Sequence, residues 1–320
     1  MPCIMSLKEP THFLWDDRLT EADKKLVRDL NASLVRLSGL RAVEINVSGK
    51  FARSKIAWKL ATYQHVLLHR LVALMDGAAV AWNSRCTLSA MLSARAFMET
   101  FAVMAELERR VTCLLKEEDL GSLDALAQNG IFASRDEDWI KENPETTAVS
   151  VLTYIHKFDK RAEGFRGHYD MLSERCHPNS LGHNFMFSKL DRSDGTVRFY
   201  DEREPARNGQ MILGALVPLP LAESISARLD ELIDKVSDLH HRVAPVSGPG
   251  ERDKPRSPPL PCRERGHGHP DRVRFSKSNL KTARVATAYR LLFVYAFVRP
   301  ESEQNGSHLQ IEERQAPGTN

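Results

Sequence analysis

SKIAWKLATYQHVLLHRLVALMDGAAVAWNSRCTLSAMLSARAFMETFAVMAELERRVTCLLK, residues 54–116, is the stretch that decides the fold. In its first half Leu60, Tyr63, Leu67, Leu71 and Leu74 step by three and four, which lays one broad apolar face along a helix. The second half, running to about Lys116, sets Leu88, Met91, Leu92, Met98, Leu107 and Val111 on its inner side. Only Trp82-Asn83-Ser84 separates the two. Two long amphipathic helices joined by a short link predict an antiparallel hairpin. A single continuous helix is the alternative, and it would bend at Gly77.

Upstream, Thr20 can cap a helix whose Leu26, Leu30, Leu34 and Leu37 recur at helical spacing and which stops near Gly39. RAVEINV after it is either a strand or an extended connection. Downstream, residues 118–145 hold a short helix (SLDALAQ) and an acidic loop at Asp136, Glu137 and Asp138. Helix returns over Thr147–Asp159 and Gly167–Cys176. FMFSKL and TVRFY then flank DRSDG, with alternating Phe185, Phe187, Val197 and Phe199 and an Asp194-Gly195 turn signal. That pattern predicts a β-hairpin near 185–200, followed by a last helix over Leu221–Arg242. The fold class is therefore mainly α: an up-and-down bundle of about five or six helices with a small β-hairpin inserted before the last one. Residues 1–53 form an N-terminal segment with one helix, and 54–243 form the bundle.

Composition changes abruptly after Val243, where APVSGPGERDKPRSPPLPCRERGHGHP is too poor in apolar residues to repay the entropy of folding. Residues 244–320 are expected to be a mostly disordered tail with one helix at 279–298. The net charge is +3, yet residues 251–284 hold ten Lys/Arg against four Asp/Glu, leaving residues 1–250 near −2 with 32 basic and 34 acidic residues. A nucleic-acid partner would thus have to be held by the tail or by a local patch. Five scattered cysteines without a C-x-x-C point to reduced thiols and a cytoplasmic setting. The N-terminus has no signal-peptide pattern. The longest apolar run, Val285–Val298, is about 14 residues and contains Arg290, short of the roughly 20 that span a bilayer, so no membrane partner is expected.

Two constellations can carry chemistry. Arg95 and Glu99 lie four residues apart in SARAFMETFAV and share a helical face with Leu88, Met91 and Ala102. A guanidinium and carboxylate set against core cost desolvation, so they are either functional or a bridge that fixes packing. The second is YDMLSERCHPNSLGH, 169–183, where Tyr169, Ser173 and His177 follow i, i+4 steps until Pro178 ends the helix. There His177 serves as an acid or phosphate-binding group, with Glu174 and Asn179 as further binding residues. Alternatively, the whole stretch caps a helix end. Metal is not expected. Glu174-x-x-His177 lacks the second Glu-x-x-His helix and the extra glutamates of a di-iron bundle, and His65-x-x-x-His69 stands alone. No cofactor motif is present: G-x-S-x-G, a Walker loop and G-x-G-x-x-G are all missing.

NSRCTLSAMLSARAFMET together with YDMLSERCHPNSLGH resembles a family of uncharacterised bacterial all-helical proteins, a domain of unknown function. Its pattern is an Arg-x-x-x-Glu helix followed by Tyr-x-x-Leu-Ser-x-x-x-His-Pro. The likeness covers about residues 54–243, and the matching positions are Arg95, Glu99, Tyr169, Ser173, His177 and Pro178. Similar proteins are grouped loosely with HEPN domains, which include ribonuclease toxins and abortive-infection factors. The HEPN signature itself, an arginine and a histidine about one turn apart on one helix, is not met. Arg175 precedes His177 by two residues and His183 by eight, with Pro178 between. The resemblance implies a metal-independent hydrolase acting on RNA, with His177 as acid/base, Arg95 clamping the developing anion and Glu99 orienting Arg95. The alternative is a non-enzymatic module that binds a protein or small ligand, a second copy of the chain included, with the same residues as structural polar core.

Overall fold

The computed structural model describes residues 7–243. The tail, the helix expected at 279–298 and the apolar run at 285–298 lie outside the described residues.

The protein is mainly helical, with a two-stranded antiparallel hairpin inserted late in the chain. Helix α1 (Glu21–Gly39) starts where Thr20 donates its backbone N–H and its hydroxyl to the Asp23 carboxylate, at 2.9 and 2.8 Å. Leu30, Leu34 and Leu37 on it are buried in the same core as the rest of the bundle. RAVEINV is an irregular connection, with no strand. It is tied to the bundle at Ala42, whose N–H donates to His65 Nδ1 (3.1 Å) and whose carbonyl meets His69 Nε2 (3.0 Å).

Helices α2 (Lys55–Asn83) and α3 (Thr87–Lys116) form the antiparallel hairpin. The Ser54 hydroxyl accepts from the Ala57 N–H at 3.1 Å to open α2. Arg85, between the two helices, adopts a left-handed conformation (φ 59°) that reverses the chain. Gly77 lies within α2, so the bent single helix does not form. Both partners bury alanines, Ala57, Ala61 and Ala78 on α2 and Ala90, Ala94 and Ala105 on α3, small side chains that suit close helix packing. Met75, Met91, Phe97 and Phe101 fill the remaining core.

The other elements pack around this hairpin. Helix α4 (Leu120–Phe132) extends well past SLDALAQ and lies on α2. Gly130 is the point of closest approach: a Cβ there would sit 2.2 Å from the Tyr63 ring. The acidic region forms a short α5 (Glu137–Glu142) and a 3-10 turn. Helices α6 (Val151–Asp159) and α7 (Phe165–Cys176) pack on α3 through an aromatic cluster. In it Phe101 and Phe158 meet edge-on with centroids 4.9 Å apart, as do Phe158 and Phe165 at 4.7 Å.

The hairpin begins later than its alternating aromatics suggest. Phe185 and Phe187 belong to a single helical turn, α8 (Asn184–Phe187). Strands β1 (Ser188–Asp191) and β2 (Thr196–Phe199) follow, with Ser188 opposite Phe199 and Asp191 opposite Thr196. Gly195 supplies the positive φ (72°) of the turn. Two helices come after it, not one: α9 (Pro205–Leu216) and α10 (Leu219–Val243). Two helical stretches, Thr87–Lys116 and Pro205–Val243, are long and apolar enough to cross a membrane. However, 56% and 67% of their most apolar windows are buried inside the fold, as in core helices.

Phe101 joins α3, α6 and α7, so Phe101→Ala should cost about 3–5 kcal/mol of unfolding free energy. Urea denaturation followed by circular dichroism measures this.

Candidate functional site

Helix α3 brings Arg95 and Glu99 onto one face, and α7 delivers Tyr169 to them. The buried Tyr169 hydroxyl donates to Glu99 Oε1 at 2.8 Å and accepts from Arg95 Nη2 at 3.3 Å. Arg95 Nε lies 3.3 Å from the same Glu99 oxygen, and the guanidinium stands 5.6 Å from the Tyr169 ring centroid. The three side chains close a ring across the two helices. It is not sealed, because the Arg95 and Glu99 side chains keep 26% and 23% of their exposure. Burial pulls the Arg95 pKa down, but the Tyr169 hydroxyl and the Glu99 charge outweigh it and leave the guanidinium above its ordinary value. The Tyr169 phenol is pushed up, chiefly by burial, so it keeps its proton and acts as a donor.

The neighbours on α7 extend this face. Ser173 is buried one turn beyond Tyr169, beside the phenol but outside hydrogen-bonding geometry. Cys176 follows, its thiol pushed up to about 11 by burial against the opposing charge of Arg95. A thiol held protonated at neutral pH is a poor nucleophile. Cys86, Cys113 and Cys176 are all free thiols.

His177 is placed differently. The chain leaves α7 there with extended backbone (ψ 148°), the residue is exposed, and no hydrogen bond or ion pair joins its imidazole to Arg95, Glu99 or Tyr169. The polar residues after it build the turn. Asn179 donates to Glu174 Oε2 (2.7 Å), and its side-chain oxygen accepts from the Gly182 N–H (2.9 Å). Gly182 packs so tightly under this turn that a Cβ would fall 1.9 Å from the His177 carbonyl oxygen. Of the seven residues singled out from sequence, then, Arg95, Glu99 and Tyr169 are in contact and Ser173 borders them. Glu174 and Asn179 pair with each other, and His177 stands outside.

Some buried polar groups have no forerunner in the sequence reading. His168 on α7 is buried, and its Nε2 lies 2.9 Å from the Met211 carbonyl on α9, which requires the proton on that nitrogen. Burial lowers its pKa to about 4, so the ring is neutral at pH 7. Arg175, also on α7, is buried and reaches Glu204 at the start of α9. An open depression lined by Phe132, Ser134, Asp136, Asp138, Trp139 and Glu142 contains none of these residues. Among the described residues no group of three or more His, Cys, Asp or Glu could hold a metal ion. His65 and His69 are spent on the Ala42 backbone. Comparison with family models, curated proteins and solved structures finds no match to this chain.

Two measurements probe the anchors of α7. Tyr169→Phe removes one hydroxyl and leaves Glu99 and Arg95 without their shared partner, so it should cost about 1–3 kcal/mol in chemical denaturation. For His168, folding lowers the pKa from 6.5 to about 4, so between those values the unfolded chain binds a proton that the folded chain refuses. Its contribution is therefore complete above pH 6.5 and declines as pH falls, by about 3 kcal/mol on reaching pH 4. His168→Gln, which still donates to Met211, should show a shallower loss than wild type across that window.

Proposed function

We propose that the chain is a non-enzymatic, cytoplasmic helical module that binds a partner or small ligand, and that Arg95, Glu99 and Tyr169 are structural within it. One observation supports this reading above the others: a single phenol engages both members of the Arg95–Glu99 pair, joining α3 to α7. An arginine that must clamp a developing anion needs a free donor edge facing an acid/base. Here Arg95 donates to Tyr169 through Nη2 and stands in an ion pair with Glu99, its Nε buried without a hydrogen-bond partner, and the imidazole that would serve as acid/base has no bond to it. The turn at 177–183 likewise uses Asn179 and Glu174 on each other.

The competing reading is a HEPN-like, metal-independent ribonuclease of the bacterial defence type, acting through Arg95, Glu99 and His177. The partial exposure of Arg95 and Glu99 favours it, since a substrate phosphate could reach that edge.

The experiment compares purified wild type with His177→Ala. His177 is exposed and makes no side-chain bond to the cluster, so the substitution should leave the melting temperature unchanged. Neither protein is expected to degrade RNA, and expression of either should affect growth alike. RNA cleavage by wild type that disappears in His177→Ala at equal stability would reinstate the ribonuclease.

A further inference from the structure

The junction of α7 and α9 holds an incompletely satisfied cation. The Arg175 side chain is only 6% exposed, and its one ion pair among the described residues is a long one, Nη2 to Glu204 Oε2 at 3.5 Å. Its Nη1 is buried with no hydrogen-bond partner. Charge-assisted N–H···O bonds normally close to about 2.7–2.9 Å, and a buried guanidinium left short of acceptors is costly. Two further arginines crowd the same place. Arg207, with a 59% exposed side chain, shares Glu204 Oε2 at 3.3 Å. Arg203 donates to the Ser188 and Asn184 carbonyls. One carboxylate oxygen therefore serves both Arg175 and Arg207. Burial first, then the charges of Arg207 and Arg203, depress the Arg175 pKa, with Glu204 only partly offsetting them.

The backbone converges on the same point. Glu204 is the residue before the first turn of the 12-residue helix α9. Pro205 brings no N–H to that turn, and the Asn208 N–H closes on the Glu204 carbonyl at 3.0 Å. The backbone donors there come from Ala206 and Arg207, at the positive end of the helix dipole, the setting in which proteins bind phosphate. Glu204 holds its carboxylate there from a left-handed conformation (φ 55°, ψ 50°), which costs a non-glycine residue about 1–2 kcal/mol. Pro205 after it closes the ordinary helical alternative. Nearby acids do not fill the vacant donor: Glu202 instead accepts from Asn208 Nδ2 at 3.1 Å.

We infer that Arg175, Arg207 and the first turn of α9 form a binding site for a phosphate group, with the Glu204 carboxylate as a displaceable occupant. A phosphate offers enough oxygens to engage Nη1 and Nη2 of Arg175 together with Arg207, where the carboxylate supplies one oxygen to both. Glu204 meets Nη2 beside the buried Nη1, so a phosphate enters by taking the place of its carboxylate, and its partly exposed position permits this exchange. The site uses none of Arg95, Glu99 or Tyr169, so it stands whether or not the chain is an enzyme.

The test is isothermal titration of the full chain with inorganic phosphate, with thermal melts in phosphate or in sodium chloride of equal ionic strength. A small phosphomonoester in a parallel arm separates free phosphate from a phosphoryl group carried on a molecule. Glu204→Gln removes the competing charge and should bind phosphate at least tenfold more tightly than wild type, with a melting temperature that rises with phosphate and not with chloride. Arg207→Ala, at an exposed position that leaves folding intact, should weaken binding several-fold. Arg175→Met combined with Glu204→Gln should abolish the response. Equal affinity in wild type and Glu204→Gln, an unchanged affinity in Arg207→Ala, or an equal stabilisation by chloride would each overturn the assignment.

Discussion

The Tyr169 hydroxyl is the point on which the polar architecture turns. One O–H donates to Glu99 while its oxygen accepts from Arg95, so a single group offsets part of the desolvation cost of an ion pair set against the core, while Arg95 Nε stays without a hydrogen-bond partner. It also fixes α7, a helix of 12 residues that is too short to persist alone in water. Phe165 and Leu172 bury apolar area on α3 and α6, but apolar contacts tolerate sliding. The phenol sets the register, and the neutral His168 on the adjoining face, about 100° round the helix, fixes α7 to α9 through Met211. Helix α7 is thus held against α3 and α9 by two neighbouring side chains whose protonation is settled by burial. Everything that follows it, the turn at 177–183, the hairpin and the Arg175 site, inherits its position.

How much of this could be read in the sequence depended on whether a residue announces its environment locally. The α2–α3 hairpin did, because apolar residues at steps of three and four over two long segments have few other solutions. Helix α9 did not. Its polar residues, Arg207, Asn208 and Gln210, all fall in its first half, and from Met211 to Leu216 every residue is buried, so only a turn or so carries an apolar-polar alternation to mark a period. Its two glycines and the Pro205 before them resemble loop punctuation. Gly209 is there for packing, since a Cβ at that position would meet Trp82 at 3.3 Å. The strand reading of Phe185 and Phe187 failed for the converse reason. Residues two apart also fit a single helical turn, and α8 takes both before the hairpin starts at Ser188.

The polar sites divide along the same line. Arg95 and Glu99 are four residues apart on one helix, so their pairing is a local fact. Their third partner lies some 70 residues on, and nothing at Tyr169 itself specifies which helix it will face. His177 shows the opposite limit. Its i, i+4 relation to Ser173 placed it on the Tyr169 face only while the helix lasted, and Pro178 ends that relation one residue too early. The chain turns to extended backbone at His177 and the shared face is lost. Arg175 could not be recognised at all without α9, because the carboxylate that meets it belongs to a helix the sequence hides.

A comparison of the two buried arginines among the described residues shows why burial alone does not make a site. Arg18 and Arg175 each keep an Nη1 without a partner. Arg18 is otherwise saturated: Asp16 grips both Nε and Nη2, the Trp82 carbonyl accepts from Nη2 at 3.1 Å, and the Trp82 ring lies 4.1 Å from the guanidinium. Its partners sit on the adjoining segment and on α2, and the aromatic face it covers belongs to the buried Trp82 of the core, so releasing the cation means breaking several contacts at once. Arg175 has one oxygen at 3.5 Å, and that oxygen is shared with a second arginine. The same cation that is locked by chelation and stacking in one place is, in the other, held by a single replaceable carboxylate. The difference lies in how many partners would have to be broken at once, and on that measure only the Arg175 site can trade its present anion for another without disturbing the fold.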